Sequence, residues 1–246
     1  MRWNSLRLSA LALGLLFAAT LWLGRAKGVV GAMWSQQEPA QAPAAEARPR
    51  PEFLVILDAG HGGDDQGATL AGKLLEKDLT LALARQLRVE LEERGVSVRM
   101  VRESDLNVSL DRRAEIANEL RPNLYVALHA GQPGLGARVY APALAPSTAA
   151  TEPFLPWESA QAASIGQSKN AARIVAAEMS KTGMSVREMT TPLRPLNNIT
   201  APAIAIEWAT GSQSLKPQQM QKLEAALASS IAAGIVQTRH QIGARP

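Results

Sequence analysis

Cysteine is absent from this 246-residue chain. Disulfides, thiolate metal sites and cysteine nucleophiles are therefore excluded, and the composition suits an oxidising compartment without requiring one. Aromatic residues are scarce, at 4%, and no basic stripe is interleaved with them, so nucleic acid is not an expected partner. Excess charge is also missing from most of the chain. The net charge is +4, but residues 1–52 hold six Lys/Arg against three Asp/Glu, leaving 20 against 19 in residues 53–246. The basic balance belongs to the N-terminus. Internal repeats are not found, and there are only three histidines: His61, His129 and His240.

Hydrophobic residues make up 46% of the chain, enough to build one large domain with a substantial core. At the N-terminus, Arg2 and Arg7 precede the uncharged apolar run Leu8 to Leu23, which Arg25 and Lys27 follow. This is the layout of a signal sequence, and the run is also close to the lower limit for a membrane span. Val30-Gly31-Ala32 offers a small-residue cleavage site, whereas Arg25 and Lys27 oppose efficient cleavage. Residues 1–34 are accordingly read as a cleaved signal peptide or a retained anchor contacting the membrane. Either reading sends the protein out of the cytoplasm, to the periplasm or another extracytoplasmic space. Residues 35–52, rich in Pro, Ala and Gln, read as a flexible tether, and residues 53–240 as a single globular domain.

From Phe53 onward strand and helix patterns alternate. The run Phe53–Leu57 is a buried strand. Leu79, Leu83, Leu87 and Leu91 repeat at i, i+4 and predict a helix from Glu76 to Arg94, with Gly95 at the C′ position. Val96–Val101 alternates as a strand. Ser109 is a predicted N-cap for a helix to Leu120, closed by Pro122. Strands are expected at Asn123–Leu128, Ala137–Tyr140 and Ala203–Ile206, and helices at Ser159–Lys181 and Leu215–Thr238. This order implies an α/β fold on a mostly parallel twisted sheet with helices on both faces. Residues 141–158 interrupt the rhythm with Ala, Pro and Thr around Phe154, Trp157 and Glu158. A structureless stretch of that length within a domain is either functional or disordered.

Four residues stand where predicted strands meet the next element. His61 lies in Asp58-Ala-Gly-His-Gly-Gly63 after the first strand, and Glu76 opens the long helix. His129 ends Leu124–Leu128, and Glu207 ends Ala203–Ile206. Strand ends of one polarity share one rim of a parallel sheet, where ligands bind. Two imidazoles and two carboxylates there are the ingredients of a hydrolytic zinc site with a general base. Gly60, Gly62 and Gly63 allow the sharp turn that aims His61 at the rim. Taken singly, Glu76 also reads as a helix-dipole residue and His129 as a satisfied structural histidine. Glu207 follows Ala-Ile-Ala-Ile, so its carboxylate is expected to be partly buried and to need a cation or a chemical task. Arg112, Arg113 and Asn118 are expected to organise the fold. Asp64 and Asp65 are expected to form turns close enough to assist the site.

These motifs carry a family resemblance. Asp58-Ala-Gly-His-Gly-Gly63, Gly67-Ala68, Glu76-Lys-Asp78, Arg102 with Asp105, Leu110 with Arg113, Ala117-Asn118, Leu128-His-Ala130 and Pro202–Glu207 occur in order over about residues 53–238. Together they resemble the zinc-dependent N-acetylmuramoyl-L-alanine amidases of bacterial cell walls, amidase type 3. The resemblance implies a mixed sheet of about six strands. It further implies Zn2+ held by His61, Glu76 and His129, with Glu207 as catalytic acid/base. The substrate it implies is peptidoglycan, cut at the amide between the lactyl group of N-acetylmuramic acid and L-alanine.

The chain departs from the family at three places. Gly131 follows the second His-Ala pair, where the family often has Asn. Trp208-Ala-Thr-Gly-Ser212 replaces an apolar-Phe stretch that commonly ends near Ser-Asn. Neither change removes a ligand or the base. The third is the segment 141–158. Some relatives carry an insertion there whose carboxylate masks the zinc until an activator protein displaces it. Phe154–Glu158 is thus read either as a lid, with Glu158 as masking ligand, or as a simple surface loop. Two other functional classes also fit the pattern: an amidase-like wall-binding or regulatory protein without turnover, and a zinc peptidase acting on the stem peptide.

Overall fold

The apolar run ahead of His61 forms strand β1 (Leu54–Ala59), and every residue of it is buried, as a central strand covered on both faces requires. A computed structural model describes residues 52–131, 135–144, 157–211 and 214–242. The expectations for residues 1–51 and for Phe154 lie outside them. The remaining elements follow as α1 (Glu76–Glu93), β2 (Ser97–Met100), α2 (Leu110–Leu120), β3 (Leu124–Gly131), β4 (Leu135–Pro142), α3 (Ile165–Ser180), β5 (Val186–Thr191), β6 (Ala203–Thr210) and α4 (Pro217–Ile242). Among the described residues, no helix is long and apolar enough to cross a membrane.

The strands make one six-stranded sheet in the order β2-β1-β3-β6-β4-β5. Strands β2, β1, β3 and β6 run parallel to one another. Strand β4 pairs antiparallel with β6 and parallel with β5, so the last two strands point the other way. The sheet is mixed but mostly parallel, as expected.

Two differences from the expected elements have clear physical causes. Strand β5 has the sequence Val-Arg-Glu-Met-Thr-Thr and sits at the sheet edge with its residues largely exposed, so it lacks the apolar alternation that marks a half-buried strand. The stretch beginning at residue 141 is not all loop: β4 continues through Pro142, and Trp157–Ala163 is a 3-10 helix. Similarly, β3 and β6 run past His129 and Glu207, which therefore lie inside the ends of their strands rather than just after them.

Side-chain parity divides the core. Val55, Leu57, Val126, Leu128, Ile204, Ile206 and Val139 face one side and pack with Leu83, Leu87 and Leu91 of α1 and with apolar residues of α3 and α4. There α3 and α4 approach closely enough that a β-carbon at Gly234 would lie 2.7 Å from Val175 Cα. The opposite face carries Ile56, Tyr125, Ala127, Ala203 and Ala205. Among the described residues, the buried apolar side chains that cover it are Ala114 and Ala117 of α2 with Leu196 and Ile199 of a short 3-10 turn. Strand alternation puts Asp58, His129 and Glu207 on this thinly covered face. The site forms where that cover ends.

Candidate active site

His61 has a φ of 62°, and Gly62 and Gly63 follow at 131° and 59°. The left-handed conformation costs a β-carbon-bearing residue about 1–3 kcal/mol and persists only where the surroundings impose it. Two guanidinium groups impose it here. Arg102 donates to the carbonyls of Ala59 at 2.9 Å and Gly60 at 3.0 Å. Arg113 donates to those of Ala59 at 3.0 Å and His61 at 2.8 Å. Thr80 adds a bond to the Gly60 carbonyl at 2.8 Å. Arg113 is itself anchored by a buried ion pair with Asp58, whose other oxygen accepts the Tyr125 hydroxyl. Farther along the loop, Lys77 donates to the Gly63 carbonyl, and Asp105 accepts from both Lys77 and the Gly63 amide.

The turn brings His61 to Glu76 at the first residue of α1. Glu76 is buried, so it is not a solvated helix-dipole residue. One of its oxygens accepts the Ala68 amide at 2.9 Å and lies 3.1 Å from His61 Nε2. The other accepts the Ala130 amide at 3.1 Å and lies 2.9 Å from His129 Nδ1. One donor atom from each of His61, Glu76 and His129 can be chosen so that all lie within 4.8 Å of one another, and the two imidazoles meet edge to face at 5.3 Å. Glycines make the approach feasible. A β-carbon at Gly67 would come within 2.6 Å of His61 Cδ2 and 2.7 Å of Glu76 Oε2, and one at Gly60 within 2.6 Å of His129 Cε1.

Electrostatics follow from this packing. Burial alone would raise the Glu76 carboxyl, but hydrogen bonds from His129, His61 and the Ala68 amide reverse that and hold it well below the usual carboxylate range. The hydrogen bond to Glu76 raises the His61 imidazole against desolvation, with help from Asp65. Asp65, expected mainly to form a turn, places both oxygens 2.9 Å from His61 Nδ1. A carboxylate can only accept, so the contact with Asp65 calls for a proton on Nδ1, and Nε2 is the nitrogen that faces Glu76. Such a carboxylate–histidine contact fixes the tautomer of a metal-ligating imidazole.

Glu207 stands next to this cluster without being part of it. It pairs in register with His129 on β3 and with Arg138 on β4. Its carboxylate accepts the Tyr140 hydroxyl at 2.7 Å and Arg138 at 3.2 Å. The cation required by a partly buried carboxylate is thus Arg138. Sequence reasoning missed Arg138 and Tyr140. Their i, i+2 spacing gives a shared face, but only the antiparallel pairing with β6 shows what they face. Arg113 and Asn118 organise the fold as expected. Asn118 holds the segment after the 3-10 turn through Asn198 and Thr200, whereas Arg112 is an exposed partner of Glu115 and Glu119. A cleft of about 200 Å³ opens beside His61 and His129, bounded by Asn107, Ser109, Leu110 and Pro195. Of the anticipated lid, residues 145–156 lie outside the described residues, as does the side chain of Glu158.

The pattern described as N-acetylmuramoyl-L-alanine amidase matches residues 55–237. Over 104 residues the chain is 39% identical to the N-acetylmuramoyl-L-alanine amidase AmiC of Escherichia coli O6:H1, covering 41% of this chain and 25% of AmiC. The chain thus spans well under half the length of the curated relatives it matches. Among solved structures, an N-acetylmuramoyl-L-alanine amidase from Clostridium difficile 630 superposes with a TM-score of 0.59 at 25% identity, over 76% of this chain and 96% of that one. The CwlD amidase of Clostridioides difficile, solved in complex with the GerS lipoprotein, superposes at 0.60 with 24% identity, over 77% and 99%. The sequence pattern fills most of the described sheet and helices, and the chain belongs to the N-acetylmuramoyl-L-alanine amidase family.

Proposed function

We propose that this chain is an exported zinc-dependent amidase that hydrolyses the bond between the lactyl group of N-acetylmuramic acid and L-alanine in peptidoglycan. The observation that carries the proposal is the convergence of His61, Glu76 and His129 within 4.8 Å, beside a carboxylate on the neighbouring strand. Two imidazole nitrogens and a carboxylate oxygen suit zinc. One Glu76 oxygen lies 3.1 Å from His61 Nε2 and the other 2.9 Å from His129 Nδ1, so its carboxylate faces both imidazoles. Asp65 on the outer nitrogen of His61 completes the arrangement.

Bound there, zinc supplies Lewis-acid polarisation of the scissile carbonyl and makes water a stronger acid. The chain's own residues do the rest. His61, Glu76 and His129 hold the ion, and Asp65 keeps His61 in the required tautomer. Glu207 takes a proton from the attacking water and returns it to the departing L-alanine nitrogen, which converts the amide into a carboxylate and an amine. The cleft beside His129 receives the glycan–peptide junction. On this reading residues 53–240 form the catalytic domain, residues 35–52 tether it, and residues 1–34 act as signal or anchor. CwlD is bound to a lipoprotein in its structure, and a protein activator is the corresponding expectation here.

The test is mass spectrometry of sacculi digested by purified, zinc-loaded protein. Stem peptides beginning with a free L-alanine amine are expected, together with about one zinc per chain and no release by Glu207→Gln. Zinc binding without turnover would instead mark a wall-binding protein. Fragments with the lactyl–alanine bond intact would mark a peptidase.

A further inference from the structure

Strands β3, β6 and β4 lie side by side, and their register puts His129, Glu207 and Arg138 in one row across the sheet. Paired residues share a face, so the three side chains rise on the same side. Tyr140, two residues along β4 from Arg138, rises there too. Its hydroxyl and the Arg138 guanidinium both donate to the same Glu207 oxygen, Oε2, at 2.7 Å and 3.2 Å. The other oxygen, Oε1, occupies the space a side chain at position 131 would fill: a β-carbon on Gly131 would collide with it. The missing side chain at 131 and the two donors from β4 therefore act on one carboxylate from opposite sides.

We propose that Tyr140 and Arg138 are positioning residues for the proton-transferring step, aiming the Glu207 carboxylate along the row toward His129, and that Gly131 is required to leave it room. The inference rests on the reading of Glu207 as acid/base. A glutamate on a strand has three side-chain torsions, and freezing them costs entropy that must be offset by fixed partners. Charge-assisted hydrogen bonds provide those partners. Tyr140 is suited to the task because burial, followed by the hydrogen bond and charge of Glu207, pushes its hydroxyl up to about 12. It therefore remains a donor throughout any working pH range. The Arg138 guanidinium has donors and no acceptor. Neither group has a proton to exchange with substrate under those conditions, so their contribution is placement. Placement matters because a general base must stand within hydrogen-bond reach of its proton, and a displacement of about 1 Å can cost on the order of 100-fold in rate.

The experiment compares Tyr140→Phe, Arg138→Met, Arg138→Lys and Gly131→Ala with Glu207→Gln, alone and combined, using the zinc-loaded protein and a soluble muropeptide. The expected result is a fall in kcat of about 10- to 100-fold for Tyr140→Phe, Arg138→Met and Gly131→Ala. KM and zinc content should stay at the wild-type level, and Arg138→Lys should recover part of the loss. In the Glu207→Gln background the same changes should cost nothing further, because the group they position is no longer functional. A merely structural role would lower zinc content or stability instead of kcat. Wild-type kcat in Tyr140→Phe and Arg138→Met, with Glu207→Gln inactive, would overturn the inference while leaving the acid/base reading intact. An undiminished kcat in Glu207→Gln would overturn both.

Discussion

The two halves of the site are built on different principles. The His61–Glu76–His129 half depends on a loop forced into an unfavourable backbone conformation and locked by buried groups. Every carbonyl from Ala59 to His61 is capped by a side chain, and the Asp58–Arg113 pair behind them is almost fully buried, at 3% and 4% exposure. The Glu207 half uses ordinary strand geometry, with side chains a third exposed or less for the acid and somewhat more for Arg138, at 26% and 37%. On the proposed reading, the loop half needs a rigid foundation because its three ligand atoms would have to meet a fixed geometry. The strand half has only to aim one carboxylate, and regular alternation across three strands does that with little strain. Placing the strained part on a buried ion pair and the simpler part where the cover of the opposite face ends separates stability from chemistry.

That separation can be broken by comparing two arginines. Removing Arg113 as Arg113→Met leaves Asp58 as an uncompensated buried charge and strips two of the loop carbonyls of a donor, so a loss of about 3–5 kcal/mol is expected. Arg138→Met removes a partly exposed pair and should cost about 0–1 kcal/mol. Denaturant unfolding of the two variants without metal measures both. Equal losses would show that the two halves do not differ in the way their burial implies. A smaller effect is expected at Asp65. It is exposed, and its carboxylate contacts the outer nitrogen of His61. Asp65→Ala should weaken zinc binding about 10- to 100-fold in competition with a chromophoric chelator, with an unchanged unfolding midpoint in the metal-free protein. Unaltered zinc affinity would remove Asp65 from the site.

The same contrast decides what could be read from the sequence. The loop half was legible because its demands appear as residue types: glycines on both sides of His61, an acid opening a helix, a leucine stripe that fixes α1 and hence the place of Glu76. The strand half was only partly legible. Glu207 drew notice as a carboxylate after four apolar residues, but its partners come from register, and register between β4 and β6 is a long-range property. The lack of a helix between β3 and β4 signals a reversal of direction, but nothing in the pattern signals that β6 lies between them, and edge strand β5 is too polar to show a period. The extent of β3 and β6 beyond His129 and Glu207 was missed for a related reason. The strand continues because its backbone is paired on both sides, whatever the polarity of the side chains at the rim.

The smallest effect tests the two halves through their tyrosines. The chain has only two, Tyr125 and Tyr140, one in each half. Burial and the adjacent Asp58 carboxylate push Tyr125 well above the ordinary phenol value, while Tyr140 is pushed up to about 12. In the unfolded chain both should ionise near pH 10. A folded value above the unfolded one means that the native state holds the proton more tightly. The associated stability is therefore complete below a pH of about 10 and is lost as the pH climbs through the folded values. Titration of the native protein, followed by near-ultraviolet tyrosinate absorbance, should stay flat through pH 10 and rise first from Tyr140. Tyr140→Phe should delete that first rise and leave a later one that coincides with unfolding, because Tyr125 cannot lose its proton while Asp58 and Arg113 remain packed around it. A native titration starting near pH 10 would mean that the phenol over Glu207 is not held as the hydrogen bond requires. If the first rise survived in Tyr140→Phe, the buried anchor behind His61 would be the looser of the two halves, and the contrast between them would be reversed.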